Sequence, residues 1–304
     1  MRVLVVGASG VIGRPLISRL AERGHQVTGT SRSAARAGQL RALGAEPAVL
    51  DVLDEAAVRA VIERTRPDAV VYQATALTGI SFSRNMDRAF GPTNELRTRG
   101  TDILVAAAAK ACVPKFVAQS FAPFRYAHTG GPVKDESDPL LADPGPSARV
   151  MFGAMAHNDE AVTAAGGIAL RYGGFYGDDS AMVRAVRRRQ FPLVGDGGGM
   201  MSFIHPDDAA AATVLALDAQ GPAVFNVTDD EPAPMREWLP ALAAAVGAKP
   251  PFRVPRWVGS LFMGKMLPMM TEARGASNAK AKKELGWTLR YPSWREGFRA
   301  AYGR

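Results

Sequence analysis

Two spacings of apolar residues alternate along this chain. Arg2-Val3-Leu4-Val5-Val6 is a short apolar run rich in β-branched residues, the pattern of a strand buried on both faces. Gly7 to Gly13 follow at once. Residues 14–23 then carry Leu16, Ile17, Leu20 and Ala21 at helical spacing, and Gly24 stops the helix. The alternation repeats. The pattern predicts further strands at 26–30, 47–50, 69–73, 115–119 and 168–172, and helices at 55–65, 94–111 and 150–165. Past Gly177 it loosens. A helix at 181–189, a strand at 191–194 and a glycine-rich turn at 195–199 precede short strands at 202–204 and 223–227, which flank a helix at 206–219. Another helix spans 234–247.

Strands alternating with helices predict an α/β fold with a doubly wound parallel sheet of the Rossmann type and a smaller C-terminal substrate lobe. The sheet domain is expected to span 1–176, with 203–228 returning to it. Residues 177–202 and 229–304 then form the lobe.

The first strand, turn and helix carry the clearest chemistry. Gly7 permits a tight turn, and Gly10 removes a side chain where backbone must approach a pyrophosphate. Gly13 lets the helix sit close to the strand. Free N–H groups of Ser9, Val11 and Ile12 and the positive helix end then face phosphate. The second strand ends in Ser31-Arg32, where an NAD-selective fold places an acid on the ribose. Arg36 lies one turn further on. An arginine fork suits a 2′-phosphate, so NADP is the expected cofactor; a solvated basic loop is the alternative reading. Asp51, with Val52 after it, closes the third strand within reach of an adenine amino group.

Taken together, GxxGxxG at 7–13, LDVLD at 50–54, FVAQS at 116–120, LRYGGFYG at 170–177, FIHPDDAA at 203–210 and the closing KAKKELGWTLRYPSWREGF resemble the extended short-chain dehydrogenase/reductases. The likeness is strongest to the NAD(P)-dependent epimerase/dehydratase branch. It implies a nicotinamide cofactor and adds Ala74, Thr75, Ala76, Tyr172 and Phe175 to the residues expected beside it. It fixes the reaction much less, since one fold hosts many chemistries.

The likeness breaks at the reacting centre. These enzymes carry Tyr-x-x-x-Lys on the helix after the long loop, where lysine lowers the tyrosine pKa and tyrosine moves the proton. With Glu160 setting the register, Phe152 and Ala156 occupy those places. A shift by one residue gives Gly153 and His157. No lysine lies between Lys134 and Lys249, and no tyrosine between Tyr126 and Tyr172. Arg97 stands where the family has asparagine; it reads equally as a solvent-facing helix charge. Ser120, Tyr126 and His157 are the expected catalytic residues, with Tyr172 and Tyr176 as further proton-donor candidates. Tyr172 also reads as core, and His157 as a residue of polar contacts at the end of its helix. Three readings stay open: a reductase drawing its proton from one of these groups, a non-redox isomerase, cyclase or dehydratase, and an NADP-binding sensor.

Composition narrows the rest. With 304 residues, 47% of them hydrophobic, the chain can build a sizeable core. The net charge of +8 is spread along the chain, with one short run at 184–189, so no nucleic-acid module is expected. A single cysteine, Cys112, excludes an internal disulfide and fits a reducing compartment. The N-terminus is already a strand, and the apolar stretch 257–270 is broken by Lys265 and Pro268. A cytoplasmic protein without membrane association is expected. No cluster has metal-ligand spacing. The expected pocket lining of Leu77, Phe82, Phe121, Phe124, Phe175, Trp257, Phe262 and Met263 favours a hydrophobic ketone or enone, such as a natural-product intermediate. A homodimer is compatible with this reading.

Overall fold

A computed structural model describes residues 1–77, 85–177, 181–264 and 267–303. Seven parallel strands form its central sheet: β1 (Arg2–Val6), β2 (Gln26–Ser31), β3 (Ala45–Val49), β4 (Ala69–Tyr72), β5 (Lys115–Phe121), β6 (Ile168–Tyr172) and β7 (Ala223–Val227). Their order is β7-β6-β5-β4-β1-β2-β3. The chain runs outward from β1 to β3 on one side and from β4 to β7 on the other. The carboxyl ends of β1 and β4 therefore flank the switch point, where such sheets open a ligand crevice.

Burial of both faces explains the strand sequences. Val3 and Val5 point into a core with Leu16, Ile17, Leu20, Tyr172, Phe225 and Trp287. Leu4 and Val6 point the other way, into Val58, Ile62, Tyr72, Leu104 and Phe116. A period of two with apolar residues on both faces reads as a continuous run. The covering helices are α1 (Gly13–Glu22), α2 (Ala37–Ala42), α3 (Glu55–Thr65), α4 (Gly91–Glu95), α5 (Thr101–Lys110), α6 (Arg149–Ala164) and α7 (Pro206–Ala216). Asp54 caps α3 by accepting from Ala57 N at 3.0 Å.

Two elements differ from the sequence pattern. β3 begins two residues earlier than 47 and contains Pro47, which an edge strand tolerates because one side of its ladder is unused. The helix expected over 94–111 begins at Gly91 and passes through a π-helical turn, Leu96–Gly100, before α5. Gly100 is needed in that turn, since a Cβ there would fall 2.7 Å from the Tyr72 hydroxyl.

A second apolar cluster of Tyr176, Val183, Leu193, Phe203, Trp238, Trp294 and Phe298 joins the later part of the chain. It includes α8 (Met235–Ala245) and α9 (Trp294–Tyr302). The loop entering α7 ties the two clusters. His205 caps α7 through Nδ1, which accepts from Asp207 N at 3.1 Å, and Asp208 accepts from the backbone N–H groups of Arg290 (2.7 Å) and Tyr291 (3.0 Å).

Asp229 lies at this junction with 1% of its surface exposed. Oδ1 accepts from Glu231 N at 3.3 Å, while Oδ2 has no hydrogen-bond partner among the described residues. Burial pushes its pKa up to about 8. The folded state then holds a proton that the unfolded chain has released, so stability falls as pH rises from about 4 to 8. Asp229→Asn is expected to flatten that decline and to stabilise the protein at pH 8 by on the order of 1–2 kcal/mol. Urea unfolding across this pH range measures it; equal slopes in the two proteins would show that Asp229 does not govern the decline.

Candidate active site

The turn between β1 and α1 is shaped by its glycines. Gly7 has φ +88°, and a Cβ on it would lie 2.5 Å from Ala74 N. A Cβ on Gly13 would meet Ala8 O at 2.3 Å. Gly10 N donates to Gly7 O (3.1 Å), and Ala8 N donates to Thr30 O (3.0 Å). α1 begins after Ile12 with no side-chain cap and no acidic residue in its first turn. Its first N–H groups therefore lack partners within the helix, and Gly10 and Val11 are exposed beside a half-buried Ser9. Such a turn could hold a pyrophosphate.

The edge beyond β2 is basic. Arg32 is exposed and forms no ion pair or hydrogen bond among the described residues. Arg36 is exposed too, its Nη1 donating to Gln39 Oε1 at 3.4 Å. Ser31 Oγ accepts from Ser33 N (3.2 Å), and Asp51 Oδ1 accepts from Leu53 N (3.0 Å). Val52 is buried. Ala74, Thr75 and Ala76 are half-buried at the exit of β4, where Ala76 N donates to Thr93 Oγ1 at 3.1 Å.

Ser120 sits near the carboxyl end of β5, 2% exposed. Arg125 Nη1 donates to its Oγ at 3.4 Å. The same guanidinium donates through Nη2 to Asp159 Oδ2 (3.1 Å), which also accepts from Arg171 Nε (2.8 Å). Arg125, Arg171 and Asp159 are all buried. No motif or periodicity in the sequence marks the two arginines and Asp159 as a cluster. The available signal was Arg171, a charge inside a strand whose other residues are apolar or aromatic, which demands a buried partner.

The other expected proton donors lie elsewhere. Tyr126 is fully buried; its hydroxyl donates to Asn226 Oδ1 (2.8 Å) and accepts from Arg171 Nη1 (3.3 Å). Burial raises its pKa. It is a tie between the loop after β5 and β7, with its proton donated to Asn226. His157 lies on the outer face of α6, half-buried, its Nε2 2.7 Å from Asp102 Oδ1 on α5. Tyr172 is core: its hydroxyl accepts from Gln73 Nε2 (2.9 Å) and lies 2.6 Å from Thr213 Oγ1, and burial pushes its pKa up to about 12. Its ring stands 5.6 Å from that of half-buried Phe175. Burial also raises the pKa of Tyr176, whose ring packs in the second cluster.

Over its first two turns the inner face of α6 is apolar. Phe152 is 7% exposed and packs with Met151, Met155 and Met269, with Phe121, Phe124, Met86 and Phe90 against them. Ala156 follows one turn on, half-buried. Of the other expected pocket residues, Leu77 is exposed. Trp257 is 69% exposed on the helix Arg256–Met263, so it does not line an interior wall. Phe82 lies outside the described residues, and of Phe262 and Met263 only the backbone is described.

Arg97 is buried rather than solvent-facing, at 4% exposure. Tyr72 donates to the carbonyl of the preceding Leu96 at 2.7 Å. Burial, and next the neighbouring charge of Arg125, push the Arg97 pKa down to about 10, so it remains a cation at neutral pH.

The model of the NAD dependent epimerase/dehydratase family matches residues 3–228. This chain belongs to that family. It is an enzyme of the oxidoreductase or epimerase kind. A 3-diazoavenalumate denitrifying reductase from a Streptomyces species is 41% identical over 98% of this chain and 99% of that protein. A 4-hydroxy-2-methyl-3-oxo-4-farnesyl-3,4-dihydroquinoline-1-oxide ketoreductase from Stigmatella aurantiaca is 28% identical over 95% of this chain and 92% of that one. Among solved structures, a UDP-glucose 4-epimerase from Thermotoga maritima superposes with a TM-score of 0.77 at 20% identity, covering 99% of this chain and 97% of that one. At that identity the match concerns the fold. The turn at 7–13, which any Cβ at Gly7 or Gly13 would obstruct, and the uncapped α1 fit the family's dinucleotide. Among the described residues no helix is long and apolar enough to cross a membrane.

Proposed function

We propose that this enzyme is an NADPH-dependent reductase of a hydrophobic aromatic substrate whose acceptor is an aryl diazo group. One observation carries the reading. The helix face that would present a proton-donating tyrosine presents Phe152 inside a wall of methionine and phenylalanine, with Ala156 in place of the lysine. A ketone receiving hydride becomes an alkoxide and needs an acid close by. An arenediazonium group does not: hydride on its terminal nitrogen gives a neutral diazene, which loses N2 and keeps the hydrogen on carbon. Diazonium cation plus hydride equals arene plus N2. The Streptomyces relative, named for a diazo substrate and for denitrification, supports this choice.

Bound NADPH supplies the hydride. The chain's own residues do the rest. The α1 N-terminus and the turn at Gly7 hold the pyrophosphate, and Arg32, with Ser31 and Arg36, takes the 2′-phosphate. Phe121, Phe124, Phe152 and Met155 exclude water from a reactive electrophile. Ser120 has its oxygen engaged by Arg125, which leaves the hydroxyl proton to be donated to the substrate. That donor favours a second reading, reduction of a hydrophobic ketone or enone, which the ketoreductase relative also supports. Neither reading uses Tyr126 or His157 as the acid.

Single-turnover mixing with NADPH separates them. Aryl diazo compounds should lose two nitrogens and gain one hydrogen as NADPH absorbance falls. Reduction of ketones alone would select the second reading, and substrate turnover at constant NADPH would overturn both. In the same preparation NADPH should bind at least about tenfold tighter than NADH, about 1.4 kcal/mol. Arg32→Asp should abolish or reverse that preference, as fluorescence titration reads directly.

A further inference from the structure

Three guanidinium groups are buried behind the carboxyl ends of β4 and β5. Arg125 and Arg171 share the single carboxylate of Asp159. Arg97 forms no ion pair or hydrogen bond among the described residues, and its Nε has no partner. Asn94, three residues earlier on the same helical path, is also 4% exposed, and among the described residues neither its Nδ2 nor its Oδ1 has a partner. The groups around Arg97 are Tyr72 from β4, Arg125 from the loop after β5, and Asp159 from α6. Among the described residues around it, the one carboxylate, Asp159, is shared with two other buried guanidinium groups, which leaves Arg97 without an anion of its own. A π-helical turn, an uncommon local geometry that recurs at functional sites, holds Arg97 there. Buried uncompensated charge is costly and is kept where something else uses its field.

The helical path that carries Arg97 is tied to the end of β4 and its exit. The bond from Tyr72 to Leu96 O and the bond from Ala76 N to Thr93 join that exit to the helix on either side of Asn94. We propose that Arg97 is a positioning residue whose unneutralised positive charge would act on the nicotinamide end of a bound dinucleotide, so that the site holds the reduced form in preference to the oxidised one. The oxidised ring carries a positive charge and the reduced ring carries none; the two molecules are otherwise alike. A fixed cation acting on the ring therefore disfavours one and leaves the other unaffected. This rests on the reading that the dinucleotide lies along Gly7 and Ala74–Ala76.

The test is the ratio of dissociation constants for NADPH and NADP+, measured by titration without substrate. The wild type should favour NADPH at least tenfold. Arg97→Met should cut that ratio at least fivefold, through tighter NADP+ binding, and Arg97→Lys should keep it within twofold. Asn94→Asp adds an anion beside Arg97. It should cut the ratio as Arg97→Met does while leaving the melting temperature unchanged or higher. A general structural lesion would weaken both ligands together and leave the ratio alone. An unchanged ratio in Asn94→Asp, or in a folded Arg97→Met, overturns the proposal. If Arg97→Met does not fold, Asn94→Asp decides, because it retains the arginine. A wild type that binds neither form overturns the cofactor reading and this proposal with it.

Discussion

Replacing Asp159 with alanine is expected to lower the unfolding free energy by about 3–5 kcal/mol, the cost of stranding buried charge. Its Oδ2 accepts from both Arg125 and Arg171, and all three residues are buried. Without the carboxylate two guanidinium groups remain in the interior, near a third cation at Arg97 with no compensating anion of its own. Asp159→Asn keeps an acceptor but loses the charge, so it should recover only part of the loss. Urea unfolding of the two variants measures both. A loss below about 1 kcal/mol in Asp159→Ala would mean that water reaches the cluster on folding and screens it.

Restoring the family pair should work only when charge is removed at the same time. Phe152→Tyr with Ala156→Lys adds a lysine to a helix that packs against the turn carrying the buried Arg97. The double variant is expected to lose stability by like-charge repulsion and to reduce simple ketones poorly. Adding Arg97→Asn rebuilds the family's asparagine, tyrosine and lysine together. The triple variant should regain stability and reduce ketones on the order of 10²-fold faster than wild type, the usual scale of a placed general acid. Equal ketone reduction by the double and triple variants would show that Arg97 does not oppose the lysine.

The sheet was legible because its strands are buried on both faces. β1, β6 and β7 appear at their expected residues, as does α3. β3 was less legible, since Pro47 reads as a boundary until the strand is known to lie at an edge. The turn at Gly7 was legible because local chemistry dictates it. The reacting centre was not. Tyr126 lies in the long irregular segment after β5, where no periodicity fixes direction, and its partner Asn226 is a hundred residues away. His157 was ambiguous because a helix turns by 100° per residue. Phe152, Met155, Asp159 and Val162 face inward, which leaves His157 outside with Asp102. Arg97 could not be placed because a helical arginine is normally solvated. Only the π-helical turn, invisible in the pattern, brings it inside.

The grip of Asp208 on residues 290 and 291 has a consequence for how the protein is made. Leu285 and Trp287, held by that grip, pack in the same core as Val3, Val5, Leu16 and Leu20. Synthesis runs from the N-terminus, and domains generally fold as units. β1 and α1 thus leave the ribosome exposing apolar surface whose cover is encoded nearly three hundred codons later. During translation the nascent chain carries an open flank over most of its length, and chaperones have that interval in which to shield it.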